Sequence, residues 1–173
     1  DSTSSTQLEA GYPEQTKDPY TVLLLHFNEA NGTTVGITDM ASTTRVITAN
    51  GNASTTNATT QLGLGNSLAL DGTGDYLSLP DSEDWNFGSG DFTFDTWINL
   101  PNVSSGTMLL FHQQTASNNE FYLYQDNVNH QLHLVVDGPV FNFTGNWNPI
   151  ANTWYHIALA RAGNTWKFFV NCA

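Results

Sequence analysis

Residues 92–100, FTFDTWINL, alternate without a break. Phe92, Phe94, Thr96, Ile98 and Leu100 fall on one side. Asp91, Thr93, Asp95, Trp97 and Asn99 fall on the other. A period of two is the geometry of a strand with one apolar face and one wet face. Short apolar or alternating runs recur at Thr21–Phe27, Thr44–Thr48, Ser67–Leu70, Tyr76–Leu79, Met108–Gln113, Phe121–Gln125, Gln131–Asp137, Trp154–Arg161 and Thr165–Asn171. Turn formers separate them at intervals of roughly 8–12 residues, the mark of an all-β sandwich or barrel. DGTGD (71–75) and Ala162-Gly163-Asn164 have the length and glycine content of hairpin connections. NGNASTTNATTQ (50–61) reads as low-complexity loop, and PDSEDWNFGSGD (80–91) as an acidic, turn-rich connection. No stretch between Tyr20 and Asn171 sustains a helical period. The polar segment 1–19, broken by Gly11, Pro13 and Pro19, reads as an arm or linker, and 20–173 as one domain.

Composition narrows the partners. Charged residues are 12% of the 173 positions, against the usual quarter or so. Asn, Thr, Ser and Gln supply the polarity instead, which suits an extracellular or virion-surface protein. Lys17, Arg45, Arg161 and Lys167 face sixteen Asp and Glu, for a net charge of −12. Such a surface repels nucleic acid and anionic membranes and attracts cations. No run of about 18 apolar residues offers a spanning helix, so membrane insertion is not expected. Cys172 is alone, so no internal disulfide forms. No signal peptide is visible, and a chain that begins at Asp1 reads as a processed product or a piece of a longer protein.

Four motifs in order, LLLHFNE, LDGTGDYLSLP, FGSGDFTFDTWINL and NTWYHIALARAGNTWKFFVN, resemble the laminin-G-like group of concanavalin A-type jelly rolls. The likeness spans about Tyr20 to Asn171, and its flavour is that of phage tail-fibre, other virion and secreted proteins. It implies an antiparallel β-sandwich. It also implies a further strand, a loop and a last strand beyond Asn171-Cys172-Ala173. The expectation is therefore a jelly roll lacking its last strand or strands here, completed by another chain or by the rest of a longer protein.

The resemblance further implies a structural calcium ion near the early and final strands, with Asp39, Asn28 and Glu29 at the nearest matching positions. Independently, Asp71 and Asp75 flank Gly72-Thr73-Gly74. Such a loop turns two carboxylates toward one point, as calcium prefers, or uses them on its own backbone amides. Enzyme chemistry is not expected. Glycoside hydrolysis needs two carboxyls roughly 5–10 Å apart. Asp91 and Asp95 share a face but lie about 13 Å apart along a strand, with Thr93 between them. There is no G-x-S-x-G motif and no recognisable Cys–His pair. His130 and His133 point to opposite faces, and His26, His112 and His156 sit singly in apolar runs, so all five histidines read as sandwich residues rather than metal ligands.

Aromatic residues carry the binding signal. Trp97 lies on the polar face beside Asp95 and Asn99, Tyr122 and Tyr124 share a face, and Trp147 and Trp154 flank a turn at Pro149. Rings bordered by Asn, Asp and Gln suit a glycan groove, although rings of this kind also serve as core or sheet cover. The reading is a non-enzymatic recognition or adhesion module on a virion fibre or extracellular protein. It would bind glycans or a cell-surface partner through a polar, aromatic concave face formed by Asp95, Trp97, Asn99, Tyr122 and Tyr124. The alternative is a structural or decoration protein that packs against other chains in an oligomeric assembly.

Overall fold

Every strand pairing among the described residues is antiparallel, as the turn spacing predicts. A computed structural model describes residues 18–41, 43–61, 65–104, 106–114, 120–136 and 141–172. Most of the expected arm, 1–17, lies outside the described residues. No α-helix occurs among them; a 3-10 turn at Glu83–Trp85 is capped by Ser82. The chain divides into two compact units, Asp1–Asp81 and Ser82–Ala173.

The first unit holds four three-residue strands: β1 (Thr48–Asn50), β2 (Ser54–Thr56), β3 (Ser67–Ala69) and β4 (Tyr76–Ser78). They pair β1 with β4 and β2 with β3. This corrects three expectations. DGTGD is not a hairpin, because β3 and β4, which it joins, pair elsewhere. Its Asp75 carboxylate instead accepts the amide of Asn52, at 2.7 Å. Residues 50–61 are not all loop, because they contain β2. Thr21–Phe27 forms no strand; it contributes one bridge, Leu25 to Asp39, and Val46 within Thr44–Thr48 contributes another to Thr38. Gly51 has φ +69°, and a Cβ there would lie 2.3 Å from Asp75 Oδ1 and 2.8 Å from the Gly74 carbonyl oxygen. Only glycine fits where that loop crosses the β1–β2 turn.

The second unit is a β-sandwich. One sheet orders β11 (Thr165–Val170), β10 (Trp154–Ala162) and β5 (Phe92–Asn99). The other orders β6 (Thr107–Gln114), β7 (Glu120–Asp126), β8 (Gln131–Val136) and β9 (Phe141–Asn146). β9 is a strand that the sequence reading missed. The β10–β11 hairpin at Gly163-Asn164 matches expectation.

Rings close the gap between the sheets. Phe94 meets Phe111 at 5.3 Å, Phe92 meets Phe121 at 5.7 Å, and Phe143 meets Phe168 at 4.9 Å between centroids. Leu100, Leu132, Trp147 and Ile157 form a buried cluster beside them. Each such side chain contributes roughly 1.5–3 kcal/mol relative to exposure. Phe87 also packs on Phe92, at 4.4 Å, so the acidic loop is fastened to the core by its aromatic residue. Arg161 fastens that loop. It donates to the carbonyls of Phe87 (2.7 Å) and Gly90 (2.8 Å) and lies over the rings of Phe92 and Trp166.

Candidate functional site

The pleat of β7 builds the site. Phe121, Leu123 and Gln125 face the interior, where Leu123 and Gln125 are fully buried. Alternation therefore turns Glu120, Tyr122, Tyr124 and Asp126 to the outer face. Register places His112 of β6 opposite Tyr122, and His133 of β8 opposite Tyr124. The four rings form a row across three strands. His112 meets Tyr122 edge-on at 6.1 Å, Tyr122 stacks on Tyr124 at 5.7 Å, and Tyr124 stacks on His133 at 4.7 Å with 5° between planes. Cross-strand aromatic pairs of this kind stiffen a sheet.

Polar groups border the row. Gln114 donates to Glu120 at 2.9 Å, and Gln131 to Asn146 at 3.4 Å. Asp126 accepts from the Asn129 side-chain amide (2.6 Å) and from the backbone of Val128 (2.8 Å) and Asn129 (3.2 Å). The Asn129 amide is the main cause holding the Asp126 carboxyl below its usual range, with the backbone amides and nearby His133 adding and desolvation opposing. Its contribution to the β7–β8 turn is therefore present at neutral pH and lost as pH falls through that lowered value. The Tyr124 hydroxyl is pushed up, first by desolvation and then by the charges of Tyr122 and Asp126, so it stays a donor at neutral pH. His133 Nε2 lies 4.0 Å from Asp126 Oδ2 and is buried without a hydrogen-bond partner.

The other three candidates lie elsewhere. Asp95, Trp97 and Asn99 sit on the outer side of β5, in the three-stranded sheet. Asp95 Oδ1 is 3.3 Å from His156 Nε2, the Trp97 and His156 rings are 5.3 Å apart, and Trp97 is 48% exposed. The structure thus brings Tyr122 and Tyr124 together, and Asp95 and Trp97 together, but on the outer faces of two different sheets with the sandwich interior between them. One shared groove is not formed. Alternation fixes which way a side chain points, not which sheet its strand joins. His112 and His133 were missed as outer-face residues. The signal was present, since His133 stands between Leu132 and Leu134, which are buried. Trp147, grouped with the binding aromatics, is a core residue.

A two-sheet antiparallel sandwich with solvent-facing aromatics narrows the possible relatives. Residues 71–173, more than half of the chain, match the model of the concanavalin A-like lectin/glucanases superfamily. The chain belongs to this superfamily. No curated protein and no solved structure matches it. Laminin-G and concanavalin A-like domains are often carbohydrate-binding or adhesive, which directs attention to sugars.

The calcium ion that this lectin-like relationship implies does not fit the described residues at the expected positions. Asp39 is 2% exposed, and its two oxygens already accept from the backbone of Leu24 (3.0 Å), Ala41 (2.9 Å) and Arg45 (3.2 Å) and from the Arg45 guanidinium (3.5 Å). Asp75 accepts the amides of Asn52 and Asp71, and Asp71 accepts that of Thr73. These are turn contacts, and the Asp71 amide is the main cause lowering the Asp75 pKa. Glu29, lining a recess with His26, Phe27, Asn28, Thr38 and Met40, keeps one buried oxygen without a partner. One unpartnered buried oxygen does not make up the six to eight ligands that calcium takes. Among the described residues no group of three or more His, Cys, Asp or Glu could hold a metal ion. Excess chelator is expected to leave the melting temperature unchanged, and added calcium to raise it by less than about a degree; a chelator-induced drop would show a site here.

The glucanase half of the superfamily description needs a carboxylate pair at one point. Asp91 Oδ1 instead accepts the Gly163 amide at 2.7 Å, bracing the β10–β11 turn, while Asp95 pairs with His156.

Proposed function

We propose that the chain is a non-enzymatic recognition module of an extracellular or virion-surface protein, and that it binds glycans through the outer face of the four-stranded sheet. The row His112–Tyr122–Tyr124–His133 carries the reading. A pyranose presents one face of C–H groups and a rim of hydroxyls. The ring surface that the stacking leaves open receives the first, and Gln, Asn and Asp at the border receive the second. Strand-borne rings locked by mutual stacking are already ordered, so little entropy is lost on binding.

A glycan array followed by titration tests it. Tyr124→Ala is expected to weaken binding at least about tenfold, about 1.4 kcal/mol, with the melting temperature measured as a control. Trp97→Ala, on the other sheet, should leave affinity unchanged. A wild-type protein that binds no glycan on a broad array would sink the proposal, and a loss confined to Trp97→Ala would move the site to the other face.

A further inference from the structure

Along β7 the outer face reads carboxylate, ring, ring, carboxylate: Glu120, Tyr122, Tyr124, Asp126. Alternate residues on a strand are spaced about 7 Å apart, so both acids lie within one sugar's reach of the rings. No Lys or Arg of these strands balances them, and the basic group beside Asp126 is the His133 imidazole, 4.0 Å away. The chain has no Lys or Arg anywhere from residue 46 to residue 160, an interval that contains all of β6, β7, β8 and β9. Asp126 is the better fixed of the two, through Asn129 and Val128, and is ionised at neutral pH. Glu120 is steadied by Gln114 at 2.9 Å. Between them, any tyrosine face that the mutual stacking leaves open adds a negative quadrupole, which attracts cations.

These features share one sign, so we infer that the face prefers amino-sugar glycans bearing free ammonium groups over neutral or acidic ones. The inference rests on the glycan reading above and specifies the sugar class for the same face. An acidic glycan would meet like charge with no Lys or Arg of these strands to receive it. A neutral glycan would stack but would leave both carboxylates without a counter-charge. An ammonium-bearing glycan gains cation–π attraction and an ion pair at either end of the ring row.

The test uses short oligomers of glucosamine, of N-acetylglucosamine with the same backbone and no charge, and of galacturonate. Oligolysine is the non-sugar control. At low salt the glucosamine oligomer is expected to bind about ten- to thirtyfold more tightly than its N-acetylated counterpart, with the margin narrowing as salt rises. Galacturonate should bind most weakly. The double variant Glu120→Gln with Asp126→Asn should bring the ratio of the two affinities to about one, whatever it does to the N-acetylated affinity itself. Glu120→Gln alone, which spares the β7–β8 turn, should reduce it. Equal wild-type affinities for charged and neutral oligomers, a margin that survives the double variant, or oligolysine binding as tightly as the amino sugar would each overturn the inference. In the first two cases neutral-sugar binding would leave the glycan reading standing. Absence of binding to every glycan would remove both.

Discussion

Replacing Asp39 by alanine is expected to destabilise the first unit by about 3–5 kcal/mol, the cost of breaking a buried ion pair from one side. The carboxylate is almost fully buried and is the meeting point of three segments. It accepts the amides of Leu24, Ala41 and Arg45 and faces the Arg45 guanidinium. That guanidinium also donates to the carbonyls of Val22 and Thr43. Among the described residues none of these segments lies in a strand, and two isolated bridges are their ladder contacts. Side chain-to-backbone hydrogen bonds from one residue therefore do the work that a sheet does elsewhere. Alanine would remove an acceptor from three amides and the counter-charge from a buried cation. Asp39→Asn should lose less, since its carbonyl oxygen still accepts. Pairing Asp39→Ala with Arg45→Met should recover part of the loss by removing the stranded charge. Urea unfolding reads the effect as a lower midpoint at unchanged slope. A loss below about 1 kcal/mol for Asp39→Ala would contradict the arrangement.

Trp147→Ala should cost a similar amount, about 3–5 kcal/mol, in the second unit. Trp147 is 5% exposed, lies in the cluster with Leu100, Leu132 and Ile157, and packs its ring edge-on to Tyr155 at 5.3 Å. Its backbone amide also ties to the His130 carbonyl at 2.8 Å, which alanine preserves. The loss is therefore one of volume and contact. Trp147→Phe should cost less, because most of the ring volume stays and a buried indole N–H without a partner is removed. Glycan affinity per folded molecule should not move in either variant. A Trp147→Ala protein of wild-type stability with weakened glycan binding would show that this ring is a ligand contact after all.

Trp147 also illustrates what the sequence conveys. Its neighbours suggested a turn at Pro149 flanked by aromatics; the turn falls at Ala151-Asn152 instead, and nothing local distinguishes a ring under a turn from one above it. The alternation of β5 was fully legible, because a period of two encodes facing within a single strand. So were β7, β8 and the β10–β11 hairpin, whose signals lie within a few residues of one another. DGTGD misled because a hairpin requires its two flanking strands to pair, and here β3 and β4 find partners at long range. β2 was hidden in a run of Thr, Ser and Asn, where β-branched residues and loop formers are interleaved. β9, FNFTGN, has alternating aromatics but only a short apolar signal. For the candidate site, the outward direction of Trp97, Tyr122 and Tyr124 could be read from their strands. Their division between two sheets could not, because strand order is set by pairings far apart in the chain. His133 needed only the rule already applied to β5.

A protease that cuts after Lys or Arg meets no bond it can cleave between residues 46 and 160. The arginines that bound this interval are both tied down. Arg45 is held by Asp39 and two carbonyls, and Arg161 by the carbonyls of Phe87 and Gly90 between two rings. Lys167 is exposed, but its backbone lies inside the β10–β11 pairing. Cleavage at any of the three must wait for local opening of the strand or network around it. A surface stripped of basic residues thus also withholds the handles by which trypsin-like enzymes digest a folded chain.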